Sequence, residues 1–252
     1  MNANAHHIPL HTYTTASYAC SYLPQQTARS EVAFPNHLID HSVYSQLVRI
    51  GFRRSGDFFY RPACHHCNAC LSLRIPVNTF TPNRSQQRAW QKHRHLEARH
   101  LELQYHPEHY QLYRDYQHAR HKHSGMDGDS AEQYSQFLLQ SQVVSRLVEF
   151  RMPSQTTSPL RMVSLVDMLD DGISAVYTFY TPERKSSYGT YSILWLIEWA
   201  RRLGLAYVYL GYWIPDSTKM AYKQKFLPHE FLQQNTWHSV TRSKPNKRDT
   251  EG

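Results

Sequence analysis

Residues 169–226 constrain the fold more than any other stretch, because they set a turn, an alternating run, a helix-spaced run and a second β-rich run in immediate succession. Asp171-Gly172 has the composition of a type I′ hairpin turn between two strand-like runs. Beyond it Ile173, Ala175, Tyr177 and Phe179 alternate with Ser174, Val176, Thr178 and Tyr180, the period of a strand. From Ser187 the spacing changes: Ile193, Leu196, Ile197, Ala200 and Leu203 fall on one helical face, and Gly204 is placed to end that helix. The run 206–212 follows at once, so strand, crossover helix and strand are expected as a parallel β-α-β unit behind an antiparallel hairpin.

Further strands are predicted over 146–152 and 161–169, split by a polar loop with two prolines. A helix over 107–121 has Pro107 in its first turn, and another over 130–139 has Ser130 as its N-cap. Upstream lies an irregular segment rich in cysteine and arginine. The expected organisation is a mobile leader over 1–16, a smaller N-terminal domain with a basic connecting segment over 17–106, a mixed-sheet α/β (α+β) domain over 107–237, and a disordered polar tail over 238–252.

Cys64, Cys67 and Cys70 form C-x-x-C-x-x-C, and Cys20 completes the set of 4 cysteines. Four thiols can hold zinc, and the spacing also fits part of an iron–sulfur motif; reduced packing thiols are the plain alternative. Arg84, Arg88 and Lys92 recur every fourth residue, so a helix there carries one basic stripe, suited to phosphates or simply solvated. Lys219, Tyr222, Lys223 and Lys225 form a second basic cluster. With 28 Lys+Arg against 20 Asp+Glu the formal net charge is +8, compatible with an acidic partner. No apolar run reaches the length of a membrane span, and the first twenty residues lack the pattern of a signal peptide, so a cytoplasmic protein, off the membrane and monomeric, is expected.

Blocks through most of the chain carry a resemblance: Tyr22-Leu23-Pro24, Gly51-Phe52-Arg53-Arg54-Ser55-Gly56, Tyr60-Arg61-Pro62-x-Cys64-x-x-Cys67, Asp170-Asp171-Gly172-x-Ser174-Ala175-Val176-Tyr177, Tyr188-Gly189-Thr190-Tyr191 and Leu210-Gly211-Tyr212-Trp213-Ile214. The chain resembles the GNAT-like acyltransferases and, within them, the bacterial aspartate/glutamate leucyltransferases, relatives of the arginyl-tRNA–protein transferases. The resemblance implies transfer of leucine from leucyl-tRNA to the α-amine of proteins beginning with Asp or Glu, marking them for degradation, with no cofactor required for the chemistry and a metal or cluster associated with the cysteines. It makes Arg53, Arg54 and Arg61 substrate-binding candidates, with Arg53 or Arg54 reading the acceptor carboxylate, since a guanidinium can meet one with two hydrogen bonds, and ordinary surface or ion-paired arginines as the alternative. It makes Arg84, Arg88 and Lys92 tRNA contacts. Ser187, Gly189 and Thr190 stand where acetyltransferases carry a glycine-rich pyrophosphate grip; only one glycine remains, which suits the terminal phosphate and ribose of an aminoacyl-tRNA. Asp167, Tyr188 and Tyr191 are the candidates for base, proton relay or oxyanion donor. Two other readings stay open, an arginyl-tRNA–protein transferase and a noncatalytic tRNA-binding module.

Overall fold

A computed structural model describes residues 10–120, 128–154, 156–217 and 220–242. The elements in chain order are β1 (His11–Thr14), β2 (Tyr18–Ala19), β3 (Thr27–Ala28), β4 (Ser30–Phe34), α1 (His41–Arg49), β5 (Arg53–Ser55), β6 (Phe58–Pro62) and β7 (Leu71–Pro76). Then come α2 (Arg84–His93), β8 (Glu97–Leu101), α3 (Pro107–Arg120), α4 (Ala131–Tyr134), β9 (Ser145–Arg151), β10 (Leu160–Met168) and β11 (Gly172–Tyr180). The chain continues through α5 (Tyr188–Arg202), β12 (Tyr207–Trp213), β13 (His229–Gln233) and β14 (Thr236–Val240).

A small sheet of order β1-β4-β6-β5 precedes an eight-stranded mixed sheet of order β14-β13-β7-β12-β11-β10-β9-β8. The parallel β11–β12 pair with α5 as crossover is present as the periodicity dictates. Ser130 caps α4 through a reciprocal pair with Gln133, and Gly204, at φ +69, ends α5. Alternation along β10 sends Met162 and Val166 to the core under α5, and Val163 and Leu165 to the core under α3 on the other face. The small sheet and α1 pack on that second face through Phe59, Tyr44 and Leu47 against Leu169 and Tyr209.

Three expectations are revised. The hairpin turn sits on Asp170-Asp171, with Leu169 N donating to Gly172 O at 2.9 Å, and neither residue has the positive φ of a type I′ turn. Gly172 is required for another reason: a Cβ there would lie 2.5 Å from the backbone oxygen of Tyr207, its parallel partner. The paired positive φ values occur at Gln234 and Asn235, between β13 and β14. Second, His11–Thr14 is not a mobile leader but pairs with β4, and Thr236–Val240 pairs with β13 where the polar tail was expected to begin. Third, β7 lies between β12 and β13, and β8 pairs with β9, so strands from before residue 106 are built into the sheet formed by those after it.

Candidate active site

β11 and β12 pair only from Gly172/Tyr207 to Ser174/Tyr209, after which the two strands part. Each arm of the resulting fork carries a bulge at the point of parting. On β11, Val176 is the unpaired residue between Ala175 and Tyr177 in the ladder to β10; on β12, Leu210 holds the same position in the ladder to β7. Bulges bend a strand and re-aim its side chains, and here they open the sheet.

Arg53, reaching from β5 across to the large sheet, fills the opening. Its Nη2 donates to Ala175 O on β11 at 3.0 Å. On the other arm Gly211 has φ +74, and a Cβ there would stand 2.8 Å from the same nitrogen. Gly211 thus supplies a left-handed backbone that favours glycine and leaves the guanidinium room where it lies. Lys223, in the turn beyond β12, donates from Nζ to Leu210 O at 2.8 Å and Tyr212 O at 2.6 Å. The residue is partly exposed along its length, but its ammonium is closely surrounded; desolvation, followed by the charge of Arg53, lowers its pKa to about 7. Among the described residues neither Arg53 nor Lys223 has a carboxylate partner.

The mouth of the fork is the loop from β11 into α5. Ser187 takes φ +61 there, and the first hydrogen bond of the helix is Tyr191 N to Ser187 O, leaving the amides of Tyr188, Gly189 and Thr190 ahead of it. Ser187 is exposed, and Gly189 rests on Tyr180 with room for a side chain, so its glycine is not sterically demanded. α2 docks on this loop: Lys92 Nζ donates to Lys185 O at 3.1 Å, His93 Nε2–H donates to Ser186 O, and the His93 ring stacks on Tyr188 with centroids 4.3 Å apart. Asn83 and Gln86 form a capping box that starts α2, and Gln86, Ala89 and His93 face inward. Arg84, Arg88 and Lys92 consequently share the exposed face with Gln87 and Gln91, as one basic stripe running toward the mouth.

Other candidates are committed elsewhere. Asp167 is fully buried and accepts from Arg54 Nε at 2.7 Å, Arg54 Nη2 at 2.6 Å, Tyr44 OH at 2.8 Å and Ser145 Oγ at 2.6 Å, so it is a structural anion and not a base. Arg54, equally buried, spends its remaining donors on Gly56 O, Gln140 O and Ser145 Oγ, and cannot read a substrate. Arg61 is engaged by Glu31 at 2.6 Å and Ile50 O at 3.0 Å and lies over Phe52. Tyr188 and Tyr191 belong to the aromatic core, 4% and 2% exposed, and burial raises both phenols, Tyr191 to about 12. Both rings are committed to packing.

Cys20 follows β2, and Cys64, Cys67 and Cys70 lie between β6 and β7; all four thiols are free and partly buried. Burial, then the proximity of Cys64, Cys20 and Cys67, pushes Cys70 up to about 12, so the sulfurs share one region. Among the described residues no three His, Cys, Asp or Glu side chains stand as a ready-made metal shell. Of the second basic cluster, Lys219 lies outside the described residues, while Lys223 turns inward and was missed as a fork residue. Gly211, a glycine inside a β-rich run, marks the close approach of Arg53; no local sequence signal marks Lys223, which bonds the carbonyls on either side of that glycine.

The family model described as "Arginine-tRNA-protein transferase, N terminus" matches residues 18–88, and that described as "Arginine-tRNA-protein transferase, C terminus" matches 108–233. An aspartate/glutamate leucyltransferase of Polynucleobacter asymbioticus is 54% identical over 93% of this chain and 96% of its own length. One from Nitrosospira multiformis is 56% identical over 90% of each chain, and one from Chromobacterium violaceum 53% identical over 92% and 94%. A chain so alike along nearly its whole length, built on a mixed α/β sheet with a forked parallel pair, belongs to the aspartate/glutamate leucyltransferases, which are aminoacyl-tRNA–protein transferases.

Proposed function

We propose that the fork between β11 and β12 is where leucine passes from leucyl-tRNA to the α-amine of a protein whose first residue is Asp or Glu, and that Arg53 reads that residue's carboxylate. The amine nitrogen attacks the ester carbonyl carbon, the new C–N bond forms as the C–O bond to the terminal ribose breaks, and the proton lost by the amine ends on the ribose oxygen. The ester is already activated, so no nucleotide is consumed. An α-amine with a pKa of about 7.7–8.0 needs only about 1 kcal/mol to be deprotonated near neutral pH. Proximity and orientation therefore carry most of the rate, which agrees with Asp167, Tyr188 and Tyr191 being occupied in the core.

The observation that carries this reading is a guanidinium fixed in the fork between Ala175 O and Gly211 with no carboxylate partner among the described residues. Arg53→Gln tests it: the preference for Asp- over Asn-initiated peptides should collapse, and an unchanged preference would falsify the assignment. The α2 stripe and the mouth at Ser187, Gly189 and Thr190 suit the acceptor end of tRNA, the stripe meeting phosphates and the helix amides the terminal nucleotide. No described helix is long and apolar enough to cross a membrane, and dependence on a charged tRNA supports a cytoplasmic location. Cys20, Cys64, Cys67 and Cys70 offer a donor set suited to zinc or an iron–sulfur cluster, which on binding would relieve the mutual repulsion that disfavours the Cys70 thiolate. Such a group would tie the β2–β3 and β6–β7 loops together, and no step of the transfer depends on it.

A further inference from the structure

Lys223 enters the fork beside Arg53 with no carboxylate partner among the described residues. Its two hydrogen bonds go to the backbone carbonyls of Leu210 and Tyr212, which flank Gly211, the residue against which Arg53 packs. Arg53 in turn is bonded to a backbone carbonyl on the facing arm. Arg54, Arg74 and Arg151 are paired with Asp167, Glu230 and Glu149. Among the described residues the two cations of the fork have no such carboxylate, although a charge held away from water is costly without a counter-ion.

We propose that Lys223 and Arg53 together form a two-point receptor for the side-chain carboxylate of the acceptor's first residue, with Lys223 a specificity-determining residue of the transfer. The inference rests on the assignment of the fork to the acceptor. One cation comes from each side: β5, in the N-terminal sheet, supplies Arg53, and the turn beyond β12 supplies Lys223. A carboxylate has two oxygens to divide between them, whereas an amide at the same place presents one acceptor and a donor that both cations reject. The phenols nearby offer no competing charge, because burial raises Tyr212 and Tyr60 and keeps them neutral. The lowered pKa of Lys223 agrees with an ammonium waiting for its counter-ion, since an arriving anion restores what desolvation removes. A phosphate of the tRNA would satisfy the same pair, but the basic stripe and the helix amides that suit phosphate lie at the mouth, on the β11 side.

The test measures steady-state leucyl transfer to peptides beginning with Asp or Asn, with leucyl-tRNA varied separately, for the full chain carrying Lys223→Gln, Lys223→Arg or Arg53→Gln. Lys223→Gln retains a donor for the two carbonyls while removing the charge, and Lys223→Met provides a second neutral form should the amide fold poorly. The expected result is a loss of about 10- to 100-fold in kcat/KM for the Asp peptide, through a raised acceptor KM, as for a lost hydrogen bond to a charged group. The Asn peptide and the KM for leucyl-tRNA should barely change, and Lys223→Arg should regain part of the Asp preference. An equal loss for Asp and Asn peptides, or a raised KM for leucyl-tRNA in place of the acceptor KM, would overturn the proposal. If Arg53→Gln erases the preference and neutral Lys223 variants keep it, Lys223 has no part in reading the carboxylate and the fork assignment stands. If none of the variants alters the preference, the fork assignment itself fails.

Discussion

Asp167→Asn removes a charge from a site where no water can replace it. Both side chains of the Asp167–Arg54 pair are 0% exposed, joined by contacts of 2.6 and 2.7 Å, with Tyr44 and Ser145 donating to the same carboxylate. The amide keeps the shape but leaves the Arg54 guanidinium as an enclosed cation, and breaking such a pair from one side costs about 3–5 kcal/mol. For a chain of this length that lowers the melting temperature by about 6–20 °C. Thermal melts followed by circular dichroism, together with urea unfolding, measure the loss. Leucyl transfer by the folded fraction at low temperature shows whether chemistry is touched, and kcat should stay within a few-fold of the parent. The double replacement Arg54→Met with Asp167→Leu should be less unstable than Asp167→Asn, since it leaves no unpaired charge inside. A variant that melts within a degree of the parent yet loses a hundredfold in kcat would refute this reasoning and return Asp167 to the reaction.

Neutralising Arg84, Arg88 and Lys92 together with glutamine should flatten the dependence of tRNA affinity on salt, reducing the log–log slope by about 2–3 with melting temperature unchanged; filter binding across a salt series reads it. Protein purified without oxygen should carry about one zinc, or iron in the amount of a cluster, and lose it in Cys64→Ala or Cys70→Ala; metal-free wild type would sink the cysteine proposal. Lys223, ordinarily at 10.5 and held to about 7 in the fold, releases its proton in the native state first, so the unfolded chain binds more protons between those values. Stability should therefore rise with pH across that window in the parent, and the rise should shrink in Lys223→Met when urea unfolding is followed at pH 7 and pH 9.5.

The hairpin, α5 and the return strand were readable because their signals are local: alternation, helical spacing and a terminal glycine all act within a few residues. The Asp167–Arg54 pair was not, because its members stand 113 residues apart in the chain and only folding joins them. Period-two geometry, applied to Arg53-Arg54, would have come close. Neighbours on a strand point to opposite faces, so only one of the two could meet a substrate while the other entered the core. Periodicity was equally silent about β7, whose place in the large sheet depends on strands that follow it by more than half the chain.

The position of β7 has a consequence for how this protein can be divided. A fragment starting at Pro107 would present β12 and β13 with bare flanks on the sides that β7 now covers, two adhesive edges in place of a closed seam. The early stretch 71–76, for its part, emerges from the ribosome long before its partners at 207–213 and 229–233 exist. Neither half is a transplantable module, and a nascent chain must keep that strand out of wrong pairings until the last third of the polypeptide has been made.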